Sequence, residues 1–109
     1  VSAGPVTYGY QVPYADRLKN DAGILSMAVG LIVHADQAEK ILQEGRADLI
    51  ALARELLYNP NWPMDAAQKL GVDSKFASVP SAQAYWLAKR AQSVKTVVPS
   101  TYMKGLHAE

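Results

Sequence analysis

The segment Gly45-Arg46-Ala47-Asp48-Leu49-Ile50-Ala51-Leu52-Ala53-Arg54-Glu55-Leu56-Leu57 takes a short apolar run directly into a turn that carries one arginine. Strands of parallel α/β proteins read as such runs, because helices cover them. Their ligands lie beyond the carboxyl ends of the strands, where the backbone of the next turn faces outward. Ala53 and Arg54 stand at that edge.

Gly30 has the same place one unit earlier, after Ile24-Leu25-Ser26-Met27-Ala28-Val29 and before a helical pattern that starts near Asp36. Two consecutive strand ends therefore converge. A glycine permits close approach to the backbone, and the planar donor fork of an arginine suits a phosphate better than a lysine point charge does. The pattern points to a ligand with a phosphate group.

Around these strands the period is helical. Tyr14, Leu18 and Ala22, with Ala15 beside them, make one apolar stripe behind Pro13, with Asp16, Arg17, Lys19 and Asn20 turned away. A second helix runs from about Asp36 to Glu44, with Asp36 and Glu39 at capping-box spacing and Ala38, Ile41 and Leu42 as its buried face. Gly45 stops it. After the strand Leu49 to Leu52, a short helix spans Arg54 to Tyr58, another runs from near Pro63 to Leu70, and a last one from about Ser81 to Gln92. From Val94 onward no period is sustained, which divides the chain into 1–93 and an extended or disordered tail, 94–109.

The order helix, strand, helix, strand, helix, helix is a βα repeat read from its middle. A βα unit takes roughly thirty residues or more, so 109 residues hold two or three, and a closed eight-stranded barrel needs about twice the length. Either the chain is a small open α/β domain or it is part of something larger. Its first residues, Val1-Ser2-Ala3-Gly4, read as the tail of a strand, which favours a fragment.

A formal charge of +1 gives no electrostatic preference for nucleic acid or an acidic membrane surface. The longest apolar stretch, Ile24 to Val33, is far short of the roughly 20 residues of a membrane span. Without cysteine there is no disulfide, thiolate metal site or cysteine nucleophile, and this fits the cytoplasm.

Each candidate residue also has a plainer reading. Arg54 can pair with Asp48 or Glu55, and Gly30 can be a simple turn glycine. His34 reads as a polar residue near a helix start, since one histidine falls short of the about four ligands of structural zinc. Tyr8, Tyr10 and Tyr14 can line a pocket, but packing explains them as well. Trp62 reads as a core or helix-entry anchor, and Tyr85 and Trp86 as a packed helix face.

Several blocks together carry a resemblance: Val1-Ser2-Ala3-Gly4; Gly9-Tyr10-Gln11-Val12-Pro13-Tyr14-Ala15; Ala28-Val29-Gly30-Leu31-Ile32; Ala38-Glu39-Lys40-Ile41-Leu42; and Gly45-Arg46-Ala47-Asp48-Leu49 through Asn59-Pro60-Asn61-Trp62-Pro63. In order and spacing, over about the first 70 residues, the chain resembles the flavin-dependent old yellow enzyme family, in its bacterial ene-reductase and xenobiotic-reductase branch. The resemblance implies the C-terminal part of a TIM (β/α)8 barrel: the end of strand six, units seven and eight, a C-terminal helix and a tail. It implies FMN as cofactor, NAD(P)H as reductant and an activated alkene as substrate.

Carried over by position, Gly30 offers its backbone near the FMN phosphate, as do Ala53 and Arg54 one unit later. The family usually has glycine where this chain has Ala53, and the methyl group narrows the approach there. The histidine pair and tyrosine of the family's chemistry come from earlier strands, so the segment is expected to anchor cofactor and to be inactive alone. Tyr85 and Trp86 stand where the terminal segment of one subunit can reach its neighbour's site in a homo-oligomer. Two rivals drop the flavin: a phosphate-holding part of a non-redox barrel enzyme, and a non-catalytic assembly element.

Overall fold

The computed structural model describes residues 6–93. The expected strand tail at 1–4 and the tail 94–109 lie outside the described residues. The elements in order are α1 (Val12–Asn20), β1 (Met27–Ala28), α2 (Ala35–Gln43), β2 (Leu49–Ile50), α3 (Arg54–Tyr58), α4 (Trp62–Lys69) and α5 (Ser81–Ser93).

β1 and β2 pair in parallel, Met27 opposite Leu49 and Ala28 opposite Ile50. Both strands are shorter than the runs 24–29 and 49–52 that the sequence suggests. The ladder reaches only from Ser26, whose carbonyl accepts the N–H groups of Asp48 and Leu49, to Ala28, which accepts that of Ala51 at 2.8 Å. Apolar content marks where a strand can run, whereas regular pairing needs a neighbour along its whole length.

The residues of β1 alternate as a pleat requires. Ala28 is fully buried and Ser26 nearly so, while Leu25 is 85% exposed and Met27 and Val29 share its open face. Helices lie on the buried side: α1 packs on β1, α2 on β2, and α4 on α2. The core consists of Val12, Ala15, Ala28, Ile32, Ala38, Ile41 and Ala47, with Ile50, Leu52 and Trp62 against it. Four alanines among these seven let helix and sheet backbones come close.

The stripe expected on α1 is not the buried one. Val12 and Ala15 enter the core, whereas Tyr14 and Leu18 are exposed. Asp16 and Lys19, expected to face away, join the helix to the segment before β2. Arg46 Nε lies 3.0 Å from Asp16, and Lys19 pairs with Asp48. The other Asp48 oxygen accepts the Ser26 N–H at 2.9 Å. The Lys19 ammonium first, and then that N–H, hold the Asp48 carboxyl below its ordinary value.

On α2, Ala38 and Ile41 are buried as expected, but Leu42 is exposed. The expected Asp36–Glu39 capping box does not form. The helix begins earlier, with His34 as N-cap, and the Gln37 side chain takes the returning role by accepting the His34 N–H at 3.3 Å. Glu39 instead accepts from Gln43. Gly45 ends the helix at φ +69°, while its N–H donates to Leu42 and that of Arg46 to Ile41, a pair of bonds that satisfies the last carbonyls.

Candidate functional site

The parallel register sets the two strand ends side by side, so the chain leaving β1 at Val29-Gly30-Leu31 and the chain leaving β2 at Ala51-Leu52-Ala53 emerge from adjacent strands. Gly30 and the Ala53-Arg54 pair thus occupy neighbouring loops.

Gly30 has φ +111°, and a Cβ built on it would come 2.9 Å from the Cβ of Gln11. Glycine is therefore required by backbone conformation and by the close pass of the 8–11 loop. Leu31 follows at φ +49°, also in the left-handed region. Its carbonyl turns inward and accepts two donors, the Gly9 N–H at 3.2 Å and Gln37 Nε2 at 3.0 Å. Among the described residues, the N–H groups of Gly30 and Leu31 meet no acceptor.

Gln37 organises this turn. It is 4% exposed; besides donating to Leu31, its Oε1 accepts the Val33 N–H at 2.9 Å and the His34 N–H. Sequence reasoning missed it. The available signal was a polar residue one turn before Ile41, on a stripe that is otherwise apolar. Trp62, read as a helix-entry anchor, opens α4, and its indole N–H donates to the Val33 carbonyl of the same loop at 2.7 Å.

Ala53 is the N-cap of α3 and Arg54 its first residue, both exposed. The plainer pairing of Arg54 with Asp48 or Glu55 is not found: Asp48 precedes β2 and is engaged by Lys19 and Ser26, whereas Arg54 follows the strand. Among the described residues, Arg54 has no ion-pair partner. An exposed guanidinium and unengaged amides on adjacent loops fit the oxygens of an anion such as a phosphate.

Of the remaining candidates, Tyr8 and Tyr10 flank Gly9 on the loop that passes Gly30, Tyr14 lies on α1, and Tyr85 and Trp86 lie on α5. Tyr8 is half-buried, edge-on to His34 with ring centres 5.3 Å apart, while Tyr10 and Tyr14 are exposed. Tyr85 and Trp86 are exposed on α5 and meet edge to face at 5.1 Å. Trp86 borders a groove with Asn61 and Met64 of the α4 region. Among the described residues, no group of His, Cys, Asp and Glu could hold a metal ion.

Among known families, residues 1–73 match the NADH:flavin oxidoreductase / NADH oxidase family. The chain belongs to that family. The matched region contains both strands and both loops of the edge, and α5 lies beyond it.

Relatives of the family agree. The chain is 58% identical over 64 residues to an NADPH dehydrogenase of Geobacillus thermodenitrificans, covering 59% of this chain and 19% of the relative. It is 58% identical over 67 residues to one of Halalkalibacterium halodurans, covering 62% and 20%. It is 55% identical over 69 residues to one of Listeria monocytogenes, covering 63% and 20%. The chain thus spans about a fifth of the length of the curated relatives it matches. Membership bears out the oxidoreductase lineage, and with it FMN and NAD(P)H as the family's cofactors.

Proposed function

We propose that this chain forms the phosphate-holding edge of the FMN site in an NAD(P)H-dependent ene-reductase. It would act there as units seven and eight of a (β/α)8 barrel with a C-terminal helix. The observation that supports this most is the pairing of two features on adjacent strand ends that have no partner among the described residues: the amides of Gly30 and Leu31, and the guanidinium of Arg54.

Bound there, FMN supplies hydride transfer from NAD(P)H to the β carbon of an activated alkene. The chain's own residues bind and orient. Gly30 and Leu31 donate backbone N–H groups to phosphate oxygens, and Arg54 adds charged donors from the next loop. Ala53 contributes backbone alone. No general acid is assigned to the chain, so by itself it is inactive.

In the same proposal the working protein is a cytoplasmic homo-oligomer, with Tyr85 and Trp86 offered to a neighbouring subunit. Their exposure on a helix beyond the family match supports that role.

The test is flavin affinity in the FMN-binding protein that carries these residues, read by flavin fluorescence with FMN and with riboflavin, which lacks the phosphate. A charge-assisted hydrogen bond is worth about 1.5–3 kcal/mol, so Arg54→Ala should weaken FMN by roughly ten- to a hundredfold and leave riboflavin unchanged. Unchanged FMN affinity in Arg54→Ala, or equal wild-type affinity for both flavins, would overturn the assignment.

A further inference from the structure

The left-handed turn Gly30-Leu31 is held from behind by a single side chain that none of the sequence motifs marks. We infer that Gln37 is a positioning residue for the phosphate-holding loop: it keeps the Leu31 carbonyl turned inward, so that the N–H groups of Gly30 and Leu31 remain free for a ligand's oxygens. The inference rests on the phosphate reading above and deepens it.

Three observations converge on Gln37. First, the amide makes one donating and two accepting bonds within one loop, to the Leu31 carbonyl and from the Val33 and His34 N–H groups. These fix three points of the chain between β1 and α2. Second, Leu31 holds φ +49° without being glycine, a conformation that persists where its surroundings over-determine it. Both donors to its carbonyl, Gln37 Nε2 and the Gly9 N–H, supply that constraint.

Third, the side chain is 4% exposed, and a buried amide that loses a partner leaves the partner unsatisfied. An apolar residue at position 37 would cost the loop both its donor and its acceptor. With the Leu31 carbonyl released, the 31–32 peptide plane can rotate; Leu31 then leaves its left-handed conformation, and the preceding 30–31 plane, which carries the Leu31 N–H, turns with it. Gln37 itself makes no contact with the ligand.

The two functions of the amide can be separated. Gln37→Glu keeps an oxygen for the Val33 and His34 N–H groups and, ionised, has no donor for Leu31. Gln37→Met keeps approximate length and makes neither kind of bond. In the FMN-binding protein carrying these residues, dissociation constants for FMN and riboflavin are measured by fluorescence, with thermal midpoints alongside.

Gln37→Glu should weaken FMN by about tenfold, the equivalent of one hydrogen bond, while riboflavin stays within twofold. If Gln37→Glu does not fold, the same selective loss in Gln37→Met supports the inference. Equal losses for both flavins, or FMN affinity unchanged in the variants that fold, would overturn it. Failure of the phosphate reading looks different: wild-type protein would then bind riboflavin as tightly as FMN.

Discussion

The indole N–H of Trp62 donates to the carbonyl oxygen of Val33 at 2.7 Å, joining the first residue of α4 to the loop that leaves β1. Twenty-nine residues separate the partners, and the bond carries α4 onto the same loop that Gln37 braces.

Trp62→Phe keeps most of the ring packing and removes this donor. It leaves a half-buried carbonyl without its partner, which costs about 1–2 kcal/mol. Trp62→Ala also removes the ring from the core edge and should cost about 3 kcal/mol or more. Urea titration of the chain, followed by circular dichroism, measures both. Identical midpoints for wild type and Trp62→Phe would mean that the bond contributes nothing.

Gly30 and Gly45 are both left-handed, yet they should respond differently to alanine. A Cβ on Gly45 has open space around it, whereas one on Gly30 comes 2.9 Å from the Gln11 Cβ. Gly45→Ala then carries only the backbone cost, about 1 kcal/mol, and Gly30→Ala should exceed it by a further 1 kcal/mol or more. Since the obstructing atom is a Cβ, Gln11→Gly added to Gly30→Ala should recover part of the loss. No recovery in the double variant would place the strain elsewhere.

Three carboxylates set an acid limit. Arg46 and then Asn20 hold Asp16 below its ordinary value; Lys19 and then the Ser26 N–H do so for Asp48; Ser78, by side chain and then backbone, and the Ala77 N–H do so for Asp73. The folded pKa values lie below the unfolded value of 3.8, so the stability these groups contribute is whole above that pH. It is lost as the pH falls through the folded values. Asp48→Asn should therefore be less stable than wild type near neutrality, and the difference should shrink as the pH falls below about 4. A difference that stays constant across a series of urea midpoints down to about pH 2.5 would contradict the linkage.

How far the sequence reveals this arrangement depends on the range of the interactions. The strand–turn–helix order, the glycine stop at Gly45 and the placement of Gly30 and Arg54 follow from local pattern. The inward face of α1 does not, because two apolar stripes fit its period. Val12 and Ala15 win over Tyr14 and Leu18 once Asp16 and Lys19 find Arg46 and Asp48, about thirty residues away. Likewise, Gln37 is recognisable only when Leu31 and Val33 are seen folded against it. The capping register of α2 moved for the same reason, since Asp36-Glu39 and His34-Gln37 have equal spacing and only the second faces the loop.

The open face of the sheet yields the last prediction. Leu25, Met27, Val29 and Leu49 are each more than two-fifths exposed, on a two-stranded parallel sheet whose other face is covered by helices. Parallel strands are stable when both faces are covered, and contiguous apolar surface with unpaired strand edges promotes association. The 109-residue chain by itself should therefore self-associate, with an average mass in sedimentation that rises with concentration. Met27 and Leu49 lie directly opposite each other in the register, so Met27→Lys with Leu49→Glu places opposite charges across the pair and leaves the net charge unchanged. That double variant should sediment as a monomer at concentrations where the wild-type chain does not. A monomeric wild-type chain at about 100 μM would show that the open face does not drive association.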